Sequence, residues 1–355
     1  MEQTEKKTDE RACGCAEGIS EKKKKRKRGG TLQTVLAFAV TVALLVVFAV
    51  LAANIGGIKV GFWQLLKGIF VEYDEDVYII LQLRFPRIFV AILGGMAMSA
   101  AGVITQAVMR SPLADPGIIG ISAGSSFVAV LVTAFFPALG ALTPLFSFAG
   151  GVLAFVIVYA LSWKGGLSPV RLILVGIAVN ALFTGLSEAF NQMTGNNYSG
   201  AASIVESNIS LKDWDDVKTL AVYVAIGAAA CVFCIKKCNL LALSDRLAGS
   251  IGVNVARTRL QVSAVAVFLA SASTAVVGSI SFLGLIVPHI ARLLVGNDHK
   301  KLIPYSALLG ALFFLVADTV GRWIAYPYEI GVSIIMSVIG GPLFIVLLLR
   351  SKKHA

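Results

Sequence analysis

Charge is scarce in this chain: 14% of its 355 residues are Asp, Glu, Lys or Arg, against roughly 25% in soluble domains. With 57% apolar residues and a mean hydropathy of +0.82, that scarcity excludes an ordinary soluble protein. Histidine is rarer still: His289, His299 and His354 are scattered, and no H-E-x-x-H segment occurs. No G-x-x-x-x-G-K-[ST] segment occurs either, so the chain does not hydrolyse ATP through a P-loop. The 34 glycines and 10 prolines follow no period, which excludes a collagen-like rod. Five cysteines make a poor disulfide framework. Cys13 and Cys15 sit in a polar tail, and Cys231, Cys234 and Cys238 lie in or beside an apolar run with no fourth ligand nearby. No metal and no cofactor is expected on this chain.

Long uncharged stretches are what it has instead. Membrane-spanning helices need about 20 apolar residues, and the intervals between charges supply ten of them. A first span lies near 33–54, a second at 88–109, and a 48-residue uncharged interval at 116–163 holds two, hinged between Pro137 and Pro144. Residues 172–192 and 219–235 give a fifth and a sixth. The 32 uncharged residues between Arg259 and Arg292 are too many for one span, so a break at Gly278-Ser279-Ile280-Ser281 separates the seventh from a short eighth at 283–297. Residues 303–325 and 331–349 complete the set.

Basic residues orient those spans. Residues 1–30 hold ten Lys and Arg, seven of them in the run from Lys22 to Arg28, and the other end carries Arg350, Lys352 and Lys353. With both ends cytoplasmic, an even number of spans places 24 basic residues inside and seven outside, as the positive-inside rule requires. The expected organisation is a disordered cytoplasmic tail over 1–30, a ten-helix domain over 31–350 and a cytoplasmic end at 351–355. The tail reads as a topogenic flank, not a nucleic-acid arm. Gly95, Ser99 and Gly102, and likewise Ser271, Ala275 and Gly278, form small-residue faces that let helices approach closely in lipid.

Only Glu188 and Asp318 place carboxylates well inside apolar runs, too few for a proton or sodium relay, so the driving energy is expected from elsewhere. An ion-coupled secondary transporter is the alternative from another class. Two connections are unlike passive loops. Leu83-Arg84-Phe85-Pro86-Arg87 sets arginines at the outer boundary, against the inward bias, and offers a positive surface to an acidic partner. On the inner side, the segment from Ser244 to Asn254 reads as a short helix followed by a bend at glycine.

These segments carry a resemblance. Leu83 to Arg87, Gln106 followed by Arg110-Ser111-Pro112-Leu113-Ala114-Asp115-Pro116, and Gly120-Ile121-Ser122-Ala123-Gly124 are similar to the FecCD-type permeases. These are the membrane subunits of ABC importers for iron–siderophore complexes, haem and cobalamin. Ile251 to Arg257, Phe282 to Arg292, Asp298-His299-Lys300, Asp318 and Gly340-Gly341-Pro342 agree, so the likeness runs over roughly 33–350. One stretch departs: where such permeases often carry Trp-x-x-Gly-Ser-Leu, this chain has Ile204 to Ile209.

The resemblance implies an all-α, ten-helix, type II ABC importer permease bundle in the cell membrane. It implies pairing with an identical or paralogous permease, two cytoplasmic ATPases that hold ATP and magnesium, and an external solute-binding protein. Arg84, Arg87 and Arg322 would then meet carboxylates of the binding protein. Ser244, Asp245, Arg246, Leu247, Ala248, Ile251 and Gly252 would form the coupling helix gripped by the ATPase. Asn180, Glu188, Asn191 and Gln192 would line the translocation route. The expected cargo is an iron–siderophore complex, with haem and cobalamin as alternatives.

Overall fold

A computed structural model of the chain describes residues 32–54, 75–117, 119–162, 169–194, 204, 207, 209–210, 212–243, 245–250, 252–324 and 328–351. The amino-terminal tail, Ser244 and Ile251 lie outside the described residues. Every described element is helical. In order they are α1 (Leu32–Asn54), α2 (Glu75–Met109), α3 (Ile121–Phe135), a 3-10 turn (Pro137–Leu142), α4 (Thr143–Ser162), α5 (Pro169–Met193) and α6 (Trp214–Leu241). There follow α7 (Asp245–Ser250), α8 (Val255–Val277), α9 (Leu283–Val295), α10 (His299–Ile324) and α11 (Val332–Ser351). Seven helical stretches among the described residues are long and apolar enough to cross a membrane, and three further apolar helices are shorter.

The interruptions fall where the sequence placed them. The 3-10 turn from Pro137 separates α3 from α4. Gly278, at φ +91, stops α8, and α9 starts after Phe282 at φ +67. The start of α2 differs from expectation. The segment Leu83 to Arg87, read as a loop opening a span at 88, lies inside a helix that begins at Glu75 and runs through Pro86. Charge and proline resembled a boundary. The missing proline N–H costs one backbone bond, whereas the arginine charges have partners within the bundle and need no boundary.

At the centre is α2: 78% of its apolar window is buried, against 11% for α1. It packs on α10, α8, α6 and α9. Small residues permit that contact. A methyl group on Gly95 would stand 2.5 Å from the Gly310 carbonyl oxygen, and one on Gly102 would overlap the Gly284 backbone. One on Gly310 would collide with the Ser99 hydroxyl. Lipid supplies no hydrophobic drive between helices, so close backbone approach and hydroxyl bonds hold them together. Ser125 and Ser271 meet at 2.7 Å across α3 and α8, and Ser273 donates to the Gly94 carbonyl at 3.0 Å.

The periphery is looser. On α5, Leu174, Ile177, Leu182 and Leu186 are exposed, as are Val222, Ile226, Val232 and Phe233 on α6.

Gly102→Val is expected to destabilise the purified protein by about 1–3 kcal/mol through overpacking, read as a lowered melting temperature. Gly185→Ala, where no atom lies within 4 Å of the added methyl, leaves the melting temperature within about a degree of wild type or slightly above it.

Candidate functional site

Two ends of the bundle gather the polar side chains. At one, α2, α10 and the turn before α11 converge on Arg87, which is 7% exposed. Its Nε donates to both oxygens of Asp318 at 3.1 Å, and Nη2 reaches Oδ1 at 2.7 Å. Its Nη1 donates to Glu329 at 2.9 and 3.0 Å and to the Ser210 hydroxyl at 3.2 Å. Ser210 in turn donates to Glu329 through a short bond. One turn along α10, Arg322 Nε stands 3.3 Å from Asp318 Oδ2. Its Nη1 donates to the Ala52 carbonyl at 3.2 Å, and Arg84 Nη1 donates to the Ala53 carbonyl at 2.6 Å. Both carbonyls lie in the last turn of α1, where orphan acceptors and the negative end of the helix dipole favour cations.

Arg84, Arg87 and Arg322, expected at one docking surface, are therefore brought together. Arg84 is half-buried, whereas Arg87 and Arg322 are buried and engaged within the chain. Three guanidinium groups gather beside two described carboxylates, Asp318 and Glu329. The buried Nη2 of Arg322 has no hydrogen-bond partner. Glu329 is the member the sequence did not disclose. It lies in a turn, 242 residues from Arg87 in the chain, and no spacing rule singles it out among the acids on that side. Only the demand of a buried arginine for counter-charge pointed to such a residue. Burial alone would raise the pKa of Glu329, but the Ser210 hydroxyl and the Arg87 guanidinium outweigh it and hold the carboxyl below its usual range.

The other end is reached along α2: Arg110 lies 23 residues past Arg87, or about 35 Å at 1.5 Å per residue. There Arg110 Nε donates to the Leu241 carbonyl, at the end of α6, at 2.8 Å. The short helix α7 follows. Ala248 is fully buried and anchors it, while Leu247 is 59% exposed. A turn closes it: the Gly252 N–H donates to the Gly249 carbonyl at 3.0 Å and the Val253 N–H to the Ala248 carbonyl at 3.1 Å. Gly252 takes φ +81, a backbone shape glycine adopts without penalty. Asn254 then caps α8 by accepting from the Arg257 N–H at 3.0 Å. Of the expected coupling residues, Asp245 and Arg246 are described by their backbone, inside α7.

Asn180, Glu188, Asn191 and Gln192 lie together on α5, apart from both clusters. Glu188 and Gln192 are exposed, Asn180 and Asn191 half-buried, and the Asn191 side-chain oxygen has no hydrogen-bond partner. Cys231, Cys234 and Cys238 are buried free thiols on α6, and among the described residues no three potential ligands gather as a metal site.

Comparison with known proteins places this multi-pass helical bundle among the membrane transport subunits of the ABC permease class. A sequence model of the FecCD transport family matches residues 44–350, and the chain belongs to that family. It is similar, at 37% identity over 319 residues, to the "Probable heme-iron transport system permease protein IsdF" of Staphylococcus aureus strains MSSA476 and Newman. That match covers 90% of this chain and 97% of each relative. Among solved structures it resembles one described as a metal-chelate type ABC transporter in an inward-facing conformation. The TM-score is 0.73 and the identity 28%, over 89% of this chain and 99% of that one. It shares its fold more distantly with PsaBC from Streptococcus pneumoniae in complex with Fab, at a TM-score of 0.53 and 16% identity over 81% of this chain and 95% of that one.

Removing one partner of a buried ion pair leaves the other uncompensated. Asp318→Asn should therefore lower stability by about 3–5 kcal/mol, whereas Glu329→Gln, at a partly exposed carboxylate, costs about 0.2–1 kcal/mol. A carboxyl held below its unfolded pKa stabilises the fold above that unfolded value, and the contribution is lost as pH falls through the folded one. The difference between wild type and Glu329→Gln should thus be full at pH 7 and vanish below the ordinary glutamate range, as thermal melts across pH will show.

Proposed function

We propose that this chain is the permease subunit of an ABC importer that carries an iron chelate inward across the cell membrane. The seven long and three shorter apolar helices act as ten spans, with both termini on the cytoplasmic side. The chain pairs with an identical or paralogous permease. The exposed apolar faces of α5 and α6 suit lipid and that second copy, and α5, with Asn180, Glu188, Asn191 and Gln192, lines the route. The chain binds no cofactor; ATP and magnesium belong to two partner ATPases.

The observation that carries the reading is the placement of two dissimilar polar stations at opposite ends of one buried helix. The arginine-rich station faces outward, and its gathered guanidinium groups suit an acidic solute-binding protein. Arg84 is its accessible contact, Arg87 becomes available as Glu329 gives way, and Arg322 stands behind them on Asp318. The inward station is the segment 244–252, which contains α7, held by Ala248 and offering Leu247 to a cytoplasmic motor. A pathway with few ionisable groups binds cargo weakly and lets it go, while ATP-driven movement of α7 shifts the bundle between outward-open and inward-open states.

For the cargo, the haem-iron name borne by relatives that align over nine-tenths of the chain favours haem. A ferric siderophore is the second reading, supported by the breadth of the family.

Reconstituted with its ATPase and binding protein, the permease should take up haem with ATP, and ferric siderophores slowly or not at all. The reverse order assigns the siderophore reading, and uptake driven by an ion gradient without ATP overturns the importer. Arg84→Glu should weaken docking of the binding protein about fivefold or more at low salt, with the gap closing near 1 M salt as the Debye length shrinks to about 3 Å. Gly252→Pro removes the N–H bonded to Gly249 and forbids φ +81, so ATP hydrolysis should continue while uptake is lost.

A further inference from the structure

Beside Arg110, α2 and α9 end together around a cavity of about 430 Å³, within the size range of small-molecule sites. Arg110, Arg292 and His289 line it with Gln106, Ser111 and Asn297, and none of its described lining residues is acidic.

Arg292 is held in place by a neutral group. Arg292, in the last turn of α9, donates from Nη1 to the Gln106 side-chain oxygen through a short bond. Gln106 is itself fixed, because its Nε2 donates to the Gly284 carbonyl at 3.3 Å. Arg110 is steadied by the Leu241 carbonyl. The nearest acid in sequence, Asp298, is turned away. Its Oδ1 accepts from Asn239 Nδ2 at 3.0 Å and from the Lys300 N–H at 3.1 Å. No ion pair reaches Arg292 among the described residues. A half-buried guanidinium with only a neutral amide acceptor favours an anion beside it.

The setting narrows the anion. The cavity lies where two apolar helices end, and helices of the length that crosses a bilayer end near its headgroups, on the inward side in the reading proposed above. Its rim is apolar: Leu293 is 72% exposed and Leu294 38%. A phosphate flanked by hydrocarbon fits such a place, and guanidinium forks match phosphate oxygens in pairs. We propose that this cavity binds the headgroup of an anionic phospholipid, with Arg292 and Arg110 on the phosphate and Leu293 against the acyl chain. Basic pockets between helices at a membrane face bind such lipids, each nearby cation contributing about 1 kcal/mol.

The test uses the full-length protein in detergent, supplied with phosphatidylglycerol or phosphatidylcholine, with retained lipid counted by native mass spectrometry. Wild type should retain phosphatidylglycerol selectively, and Arg292→Gln and Arg110→Gln should each cut that preference about fivefold. Asn297→Asp sets a carboxylate on the exposed rim without touching a helix contact. It should cause the same loss and keeps the test decisive if Arg292→Gln does not fold. Equal retention of the two lipids, or a preference unmoved in the variants that fold, overturns the proposal. So does equal protection by millimolar inorganic phosphate, which would make the cavity a site for free anions. Cross-linking of Asn297→Cys to a partner protein, with no selective lipid retention, assigns the cavity to protein contact and also overturns it.

Discussion

Arg87 is enclosed by α2, α10 and the turn before α11, and its guanidinium spends its donors on Asp318, Glu329 and Ser210. Such a charge is tolerable away from water only with its counter-charges in place, so three distant parts of the chain must assemble around it. The same Asp318 holds Arg322, and Arg322 with Arg84 donates to two carbonyls in the last turn of α1. The first helix, the central helix and the carboxyl-terminal pair thus share one electrostatic knot. Elsewhere the bundle relies on glycine and serine seams that lock α2 to α9 and α10. These seams fix distance and leave choice of partner to the knot.

Much of this was legible in the sequence because membrane helices are written in long apolar runs broken by glycine and proline. The breaks at 137 and 278 and the short helix before Gly252 lie where pattern put them, since each rests on a local backbone constraint. The seams formed by Gly95, Gly102 and Ser99 were readable for the same reason. What pattern missed is non-local. The extension of α2 back to Glu75 was hidden because two arginines and a proline read as a boundary, and the carboxylates that hold Arg87 are more than 200 residues away. Glu329 carried no spacing signal. The tie of Gln106 to Arg292 is likewise a product of folding, although both residues stood in motifs that drew notice.

The contrast between the rigid middle and the loose rim bears on transport. Central α2 has its glycines filled by neighbouring backbone, so it cannot slide without collision. Helix α5 is mostly uncovered and carries Asn180, Glu188, Asn191 and Gln192 among its polar side chains. Movement against the rest of the bundle is therefore less hindered in α5 than in α2.

The grip of Arg84 and Arg322 on the end of α1 also sets an order of events at the ribosome. Arg84 emerges 31 residues after its acceptor Ala53, whereas Arg322 follows Ala52 by 270 residues. At about 5–20 residues per second the second clasp arrives on the order of tens of seconds later. For that interval the first helix waits in the bilayer with one fastening, and a nascent chain truncated before α10 leaves it so. Assembly of this protein ends where its synthesis began.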